Sequence, residues 1–126
     1  MTIKGAIVVI LDNTDRVLLG KRPGNIPCWM PGKWGFPGGK IEEGETPEEA
    51  AIRETKEEMN LDIEELRELK IGLDNPVAMY YTRKYSGNVQ IDHEHTDWAW
   101  VDGSDLSGYD LTPDVAEIYD WVIKHE

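Results

Sequence analysis

A single helix, marked at both ends by its own start and stop signals and carrying three carboxylates along one side, constrains this chain more than any other feature. Thr46-Pro47-Glu48-Glu49 places a threonine at the N-cap, proline at the first helical position, and at the third a glutamate able to reach back to the cap N–H. Asn60 follows Met59 where a left-handed residue ends a helix, and asparagine is the second choice there after glycine. Between these signals Glu54, Glu57 and Glu58 fall at i, i+3 and i+4 and share a face. They lie in the last turns, near the partially negative end of the helix dipole, where lysine or arginine is the favoured choice. Each like-charge pair at this spacing costs only about 0.2–0.5 kcal/mol in water, so the arrangement is tolerable, but it has a purpose only if a cation is bound. On a 100° step, Ile52, Thr55 and Met59 share an inward arc with the stem of Glu48, Ala50 joins the carboxylate arc, and Arg53 and Lys56 take the remaining side.

The wider segment Gly39 to Glu58 holds eight glutamates against three basic residues. Just before it, Trp34-Gly35-Phe36-Pro37-Gly38-Gly39-Lys40 supplies two successive glycines, which let the backbone approach a ligand and expose carbonyl oxygens suited to a hard cation. The run is not a P-loop: Trp34 stands where the first glycine of that motif is needed, and Ile41 where a hydroxyl is needed.

Length and charge narrow the class. The 126 residues fit a single domain, residues 1–126, with 40% hydrophobic residues but one phenylalanine among eleven aromatics, so five tryptophans carry much of the packing. A net charge of −12 with no basic stripe argues against binding a nucleic-acid polymer through its phosphates, so small anions need metal ions to be admitted. Cys28 is the single cysteine and excludes an internal disulfide. With no charged-then-apolar leader and no run of eighteen apolar residues, the chain reads as soluble and cytoplasmic, with no membrane partner.

Along the chain, Gly5 to Leu11 is an apolar, β-branched run that predicts a central strand covered on both faces. Asp12-Asn13-Thr14-Asp15 supplies turn chemistry and lacks the glycine and distal glutamate of a calcium loop, so Arg16 to Arg22 is expected to return as the second strand of a hairpin. Pro23 to Lys33 is a loop in which Trp29 either packs on the core or offers a base-stacking platform. Leu66 to Leu73, Val77 to Tyr85 and Trp98 to Val101 read as strands, with one face of the Val77/Met79/Tyr81 alternation expected to line a pocket. Val115, Ile118, Tyr119 and Val122 recur at helical spacing in a closing helix whose expected cap is Thr112.

Gly39, five residues, Glu45, seven residues, then Arg53-Glu54-Thr55-Lys56-Glu57-Glu58-Met59-Asn60-Leu61 resembles the signature of the Nudix hydrolases, and Trp34-Gly35-Phe36-Pro37-Gly38-Gly39 before it, in so short a chain, resembles the members that cut nucleoside triphosphates. Thr55 departs from the family's bulky aliphatic and Asn60 from its glycine; every charged position is filled. The resemblance implies an α/β (α+β) fold, a mixed β-sheet sandwiched between α-helices. It implies that Glu57 and Glu58 bind the essential metal with the carbonyl of Gly38, that Glu54 binds metal or activates water, that Arg53 orients a carboxylate beside it, and that Glu45 supports the loop. Asp92-His93-Glu94-His95 resembles a later family segment and makes Glu94 a second candidate for metal ligand or base. His93 and His95 flank it without any cysteine partner for zinc.

An oxygen ligand set selects Mg²⁺, with Mn²⁺ as a substitute, and such an ion can activate water against one phosphorus of a diphosphate. Lys21, Arg22 and Lys40 are the nearest cations by sequence to hold outer phosphates. The resemblance further suggests Asp114 as a reader of a purine edge, with Trp29, Tyr80 or Tyr81 as stacking partners. The expected activity is Mg²⁺-dependent hydrolysis of a small nucleotide, a nucleoside triphosphate giving monophosphate and pyrophosphate. A nucleotide-sugar hydrolase and a non-catalytic nucleotide sensor are the alternatives, and a homodimer is left open.

Overall fold

The structure, a computed structural model, describes residues 3–24, 30–71 and 76–126. Its elements run β1 (Gly5–Ile10), β2 (Val17–Lys21), β3 (Trp34–Gly35), β4 (Gly38–Lys40), α1 (Pro47–Met59), β5 (Asp62–Glu64), β6 (Arg67–Glu68), β7 (Val77–Thr82), β8 (Lys84–Ser86), β9 (Asp97–Val101), a 3₁₀ helix (Gly103–Gly108) and α2 (Val115–His125). Trp29 and Cys28 lie outside the described residues.

A strand that is apolar on both faces has to be covered on both, and β1 is. It sits in a four-stranded sheet of order β4-β1-β7-β6, antiparallel to β4 and parallel to β7. Successive side chains point to opposite faces. Val9 and Leu11 join Met79, Tyr81 and the α2 residues Val115, Ile118, Tyr119 and Val122 in one core cluster. Ala6, Val8 and Ile10 join Ala50, Ala51 and Met59 of α1, with Leu61, Ile63 and Tyr80, in the other. The expected mixed sheet between helices is thus present, with α1 on one face and α2 on the other.

The expected hairpin is corrected. β2 belongs to a second sheet, β3-β2-β9, and meets the first strand only through the bridge Leu11 to Val17. In the turn between them, Oδ1 of buried Asp12 accepts from the Thr14 and Arg16 N–H groups and from the Thr14 hydroxyl, each at 2.9 Å, while Arg16 Nε donates to Oδ2 at 2.8 Å. Burial pushes this carboxyl up, but the bonds from Arg16 and Thr14 outweigh it and hold it below its ordinary range.

The long strand expected to Tyr85 is also broken. It pairs with β1 up to Thr82, and β8 then pairs with β5, a short strand that the sequence reading missed. The Thr82 hydroxyl donates to the Glu64 carbonyl at 2.5 Å and accepts the Lys84 N–H at 3.0 Å, which fastens this change of partner.

α1 begins and ends where its signals place it. The Thr46 hydroxyl accepts the Glu49 N–H at 3.1 Å, Glu49 accepts the Thr46 N–H at 2.8 Å, and Asn60 closes the helix at φ 60°. Its buried face differs from expectation. Ala50, Ala51, Thr55, Glu58 and Met59 are buried, whereas Ile52 is 38% exposed. On a 100° step that arc is centred between Ala51 and Glu58, which leaves Ile52 roughly 110° off centre. For α2 the cap is Asp114, at φ 72° and with no side-chain bond, in place of Thr112. Thr112 is buried instead, its N–H donating to the Trp34 carbonyl at 2.8 Å and its side chain covering Gly35.

Thr46→Ala is expected to cost about 1 kcal/mol of stability as a lost cap. Met59→Ala should cost about 2–5 kcal/mol as a core truncation, and Ile52→Ala less than about 0.5 kcal/mol as a surface change. Urea denaturation measures all three, and a large loss at Ile52 would contradict the helix orientation.

Candidate metal and phosphate site

Glu58 stands near the middle of the buried face of α1, only 5% exposed, and a carboxyl in that position needs a partner. The Gly38 N–H of β4 donates to its Oε1 at 3.0 Å. Close passage of β4 depends on both glycines. Gly38 adopts φ +150°, and a Cβ there would lie 2.2 Å from the Ala6 carbonyl oxygen. At Gly39 a Cβ would fall 2.7 to 3.0 Å from the Glu54 carboxyl group, so the missing side chain is the space that Glu54 occupies.

Glu94, in the connection from β8 to β9, completes the group: one oxygen each from Glu54, Glu58 and Glu94 lies within 4.8 Å of the others. Burial first, and then the neighbouring charges of Glu54, Glu94 and Asp92, push Glu58 up to about 9 against the opposing Gly38 bond. Burial also raises Glu54, with Glu57 adding to the effect and Arg53 opposing it. Three carboxyls converging within reach of one another, Glu58 held from ionising by burial and by its acidic neighbours, offer oxygen donors alone and fit a hard divalent cation, which would relieve the repulsion at Glu58.

Arg53 organises the rim. Its Nε and one terminal nitrogen donate to both oxygens of Glu45 at 2.7 and 3.0 Å, the latter nitrogen also to the Lys40 carbonyl at 3.0 Å. The other terminal nitrogen reaches Glu54 at 2.8 Å and Glu57 at 3.2 Å. The Arg53 bond, followed by the Glu42 N–H, pulls Glu45 down to about 2, and the same contact raises Arg53. The sequence reading placed Arg53 beside Glu57 but missed its two-point grip on Glu45, two helical turns back.

The structure thus brings Glu54, Glu58 and Glu94 together, while Glu57, its side chain 57% exposed, points along the Arg53 side. The contact that Gly38 makes with the cluster is through its N–H.

On the other side of Gly38 and Gly39 lies a cavity of about 460 Å³, floored by Ile7, Phe36, Val77, Met79 and Ile118 and edged by Arg22, Thr112 and Asp114. Arg22 and Asp114 are therefore at the cavity, whereas Lys21 and Lys40 are not among its lining residues. Of the two faces of β7, it is the one with Val77 and Met79 that lines the cavity, but Tyr81 on the same face does not. Four residues along a strand is about 13 Å, which carries Tyr81 past the cavity into the core, 8% exposed and beside Arg83. Tyr80 faces the α1 layer. Ile7, Phe36 and Ile118 were missed as lining residues, although the alternation of β1 already set Ile7 on the α2 face. His93 is exposed, while His95 is buried, with Nδ1 3.2 Å from Asp92 Oδ1.

Comparison with known proteins agrees with this geometry. The NUDIX domain model matches residues 1–122. The 8-oxo-dGTP diphosphatase of Proteus vulgaris is 46% identical over 55 residues, covering 44% of this chain and 47% of that protein. A putative 8-oxo-dGTP diphosphatase of Bacillus subtilis (strain 168) is 41% identical over 58 residues, 46% of this chain and 35% of its own length. The matched stretch therefore spans less than half of these two relatives. The CTP pyrophosphohydrolase of Escherichia coli (strain K12) is 26% identical over 114 residues, 85% of this chain and 82% of that one. Among solved structures, the MutT NUDIX hydrolase of Burkholderia pseudomallei superposes with a TM-score of 0.76 at 25% identity, covering 97% and 98% of the two chains. The NUDIX domain of Shewanella oneidensis NrtR, in complex with ADP ribose, shares the fold at TM-score 0.79 and 22% identity, covering 98% of this chain and 88% of that one. A continuous family match over nearly the whole length, together with the signature carboxylates on α1, settles the affiliation: the chain belongs to the NUDIX domain family.

Proposed function

We propose that this chain is a Mg²⁺-dependent hydrolase of a phosphoanhydride bond in a small nucleoside diphosphate derivative, cutting a nucleoside triphosphate to monophosphate and pyrophosphate. The observation that carries the reading is that one pair of residues, Gly38 and Gly39, forms both the wall of the cavity and the backing of the carboxylate cluster. A base-sized apolar cavity and an acidic cation site that share a wall fit a ligand with an organic end and a polyphosphate end. The names of the Proteus and Escherichia relatives, which act on nucleoside triphosphates, support the same class.

Glu54, Glu58 and Glu94 would hold the metal, Mg²⁺ or in its place Mn²⁺, with Glu57 on the outer side of the same helix. When bound, such an ion neutralises phosphate charge and lowers the pKa of water. The chain's own part is to position and to move protons. Glu54 or Glu94 accepts the proton as water oxygen bonds to phosphorus and the bridging P–O bond breaks. Arg53 keeps Glu54 in place through its 2.8 Å bond. Arg22 and Asp114 line the cavity; in this reading Arg22 would meet phosphate and Asp114 would accept from an N–H edge of a base. Among the described residues no helix is long and apolar enough to cross a membrane, and we place the protein in the cytoplasm acting on free nucleotides.

The test is a panel of nucleoside triphosphates and nucleoside diphosphate sugars with Mg²⁺, followed by phosphorus spectroscopy in ¹⁸O water. Pyrophosphate released from a triphosphate supports the proposal. Sugar phosphate plus nucleoside monophosphate moves the substrate to a nucleotide sugar, and no metal-dependent turnover anywhere leaves a sensor domain.

Glu58→Gln is expected to lower turnover by at least about a hundredfold, because a metal ligand is lost while shape is kept; near-normal activity would defeat the assignment. Gly39→Ala sets a methyl against Glu54 and should weaken Mg²⁺ binding about tenfold or more by calorimetry, with the circular dichroism of the helices unchanged.

Stability gives a third prediction. The Glu58 carboxyl sits at about 9 in the folded protein against 4.5 ordinarily, so between those values the unfolded chain releases a proton that the folded one keeps. Stability of the metal-free protein therefore falls as pH rises through that window. Thermal melts in chelator from about pH 5 to about pH 9 should show this decline, Glu58→Gln should flatten it, and Mg²⁺, which displaces protons from its ligands, should reverse it.

A further inference from the structure

Asp92 to His95 form a tight turn whose contacts all converge on the placement of Glu94. The Glu94 N–H donates to Asp92 Oδ1 at 3.0 Å, and the His95 N–H donates to the Asp92 carbonyl at 3.3 Å. His95 Nδ1 lies 3.2 Å from the same Oδ1, and since a carboxylate only accepts, the proton of that contact resides on Nδ1. The turn is tied down at both ends. The Asp92 N–H donates to the Glu58 carbonyl at 3.3 Å, which fastens it to the C-terminal end of α1, and the Thr96 N–H donates to the Lys21 carbonyl at 2.9 Å, which fastens it to β2.

The His95 ring is the only part of the turn that reaches the interior, with its side chain 5% exposed. It occupies a niche over Gly20. A Cβ on Gly20 would stand 2.7 Å from His95 Cδ2 and 2.5 Å from Met59 Cε, so glycine at this strand position is what allows the ring to seat against the last residue of α1. Gly20 has no positive φ to explain it, being an ordinary residue of β2. Its reason is the ring.

We propose that His95 is a positioning residue: seated over Gly20, it holds the Asp92 carboxylate, which holds the Glu94 amide, and so sets Glu94 opposite Glu54 and Glu58. This rests on the reading of those three carboxylates as a metal site. Glu94 itself is exposed and lies on a connection without regular structure, so its side chain has no helix to direct it. Partners behind a ligand of this kind commonly change metal affinity 10–100-fold when removed.

A double-variant cycle tests the chain of contacts, with Mn²⁺ titration by electron paramagnetic resonance beside turnover. His95→Phe keeps the ring volume and removes Nδ1; it should raise the Mn²⁺ dissociation constant about tenfold and lower turnover. In a Glu94→Gln background the same change should have little further effect on either quantity, which a general loss of stability would not reproduce. His95→Asn, whose amide nitrogen falls close to the place of Nδ1, should recover most of the loss and guards against a variant that simply misfolds. The inference is overturned if His95→Phe binds and turns over like the parent, or if its effect is equally large with and without Glu94. A parent protein that binds no Mn²⁺ at all overturns the proposed function itself, so the two failures are told apart by the first titration.

Discussion

The hydrogen bond from the Gly38 N–H to Glu58 is the contact on which the rest of the site depends. It joins the edge strand β4 to the buried face of α1, and it does so through a carboxyl that is almost wholly out of water. One such bond cannot offset the desolvation of a full charge, which costs several kcal/mol, and the carboxyl answers by holding its proton to about 9. The metal-free site is therefore a poised one. A divalent cation bound there would supply the positive charge that the fold withholds, and the acidic residues around it would then become an asset.

Arg53 supplies the only strong positive charge that meets this group directly among the described contacts, and it spends it on the rim. Its two-point contact with Glu45 fixes the segment before α1 to the helix, while its second terminal nitrogen bridges Glu54 and Glu57. Planar geometry matters here: a lysine is a point charge without the fork that holds both oxygens of Glu45 while the far nitrogen bridges Glu54 and Glu57. The arginine leaves Glu58 and Glu94 uncompensated, which keeps the inner oxygens free for an ion and not for a side chain.

Much of this was legible in residue order because it is local. The capping box, the asparagine at φ 60° and the i, i+3, i+4 spacing of the carboxylates are all properties of one helix, and they are observed as expected. The parts that escaped depend on tertiary contacts. Which of three neighbouring glutamates turns inward is decided by where the sheet lies, and a shift of the buried arc by about one residue exposes Ile52 and brings Glu58 to its centre, while Glu57 stays on the exposed side. Tyr81 has the right alternation and the wrong distance along its strand. The split of β1 and β2 into separate sheets depends on which distant strands each pairs with, β4 and β7 for the first, β3 and β9 for the second, and residue order near the Asp12 turn does not reveal those partners. Thr112 looked like a cap because its hydroxyl precedes a helix; it is drawn to Gly35 instead.

The alternation of β1 divides the labour between two faces. Ile7 faces the cavity on the α2 side, while Ala6, Val8 and Ile10 pack beneath α1, the helix that carries the carboxylates. The cavity and the carboxylate cluster therefore lie on opposite sides of one sheet, and under the proposed function a single ligand would reach both by passing round an edge. β4 is that edge in the order β4-β1-β7-β6. At Gly38 a side chain would strike the Ala6 carbonyl and at Gly39 the Glu54 carboxylate, so two glycines make the edge thin at the point where the faces must communicate. The double glycine is thus a requirement of strand packing as much as of the carboxylate cluster, since a side chain at Gly38 would strike Ala6 and Ile7 and one at Gly39 would strike Glu54.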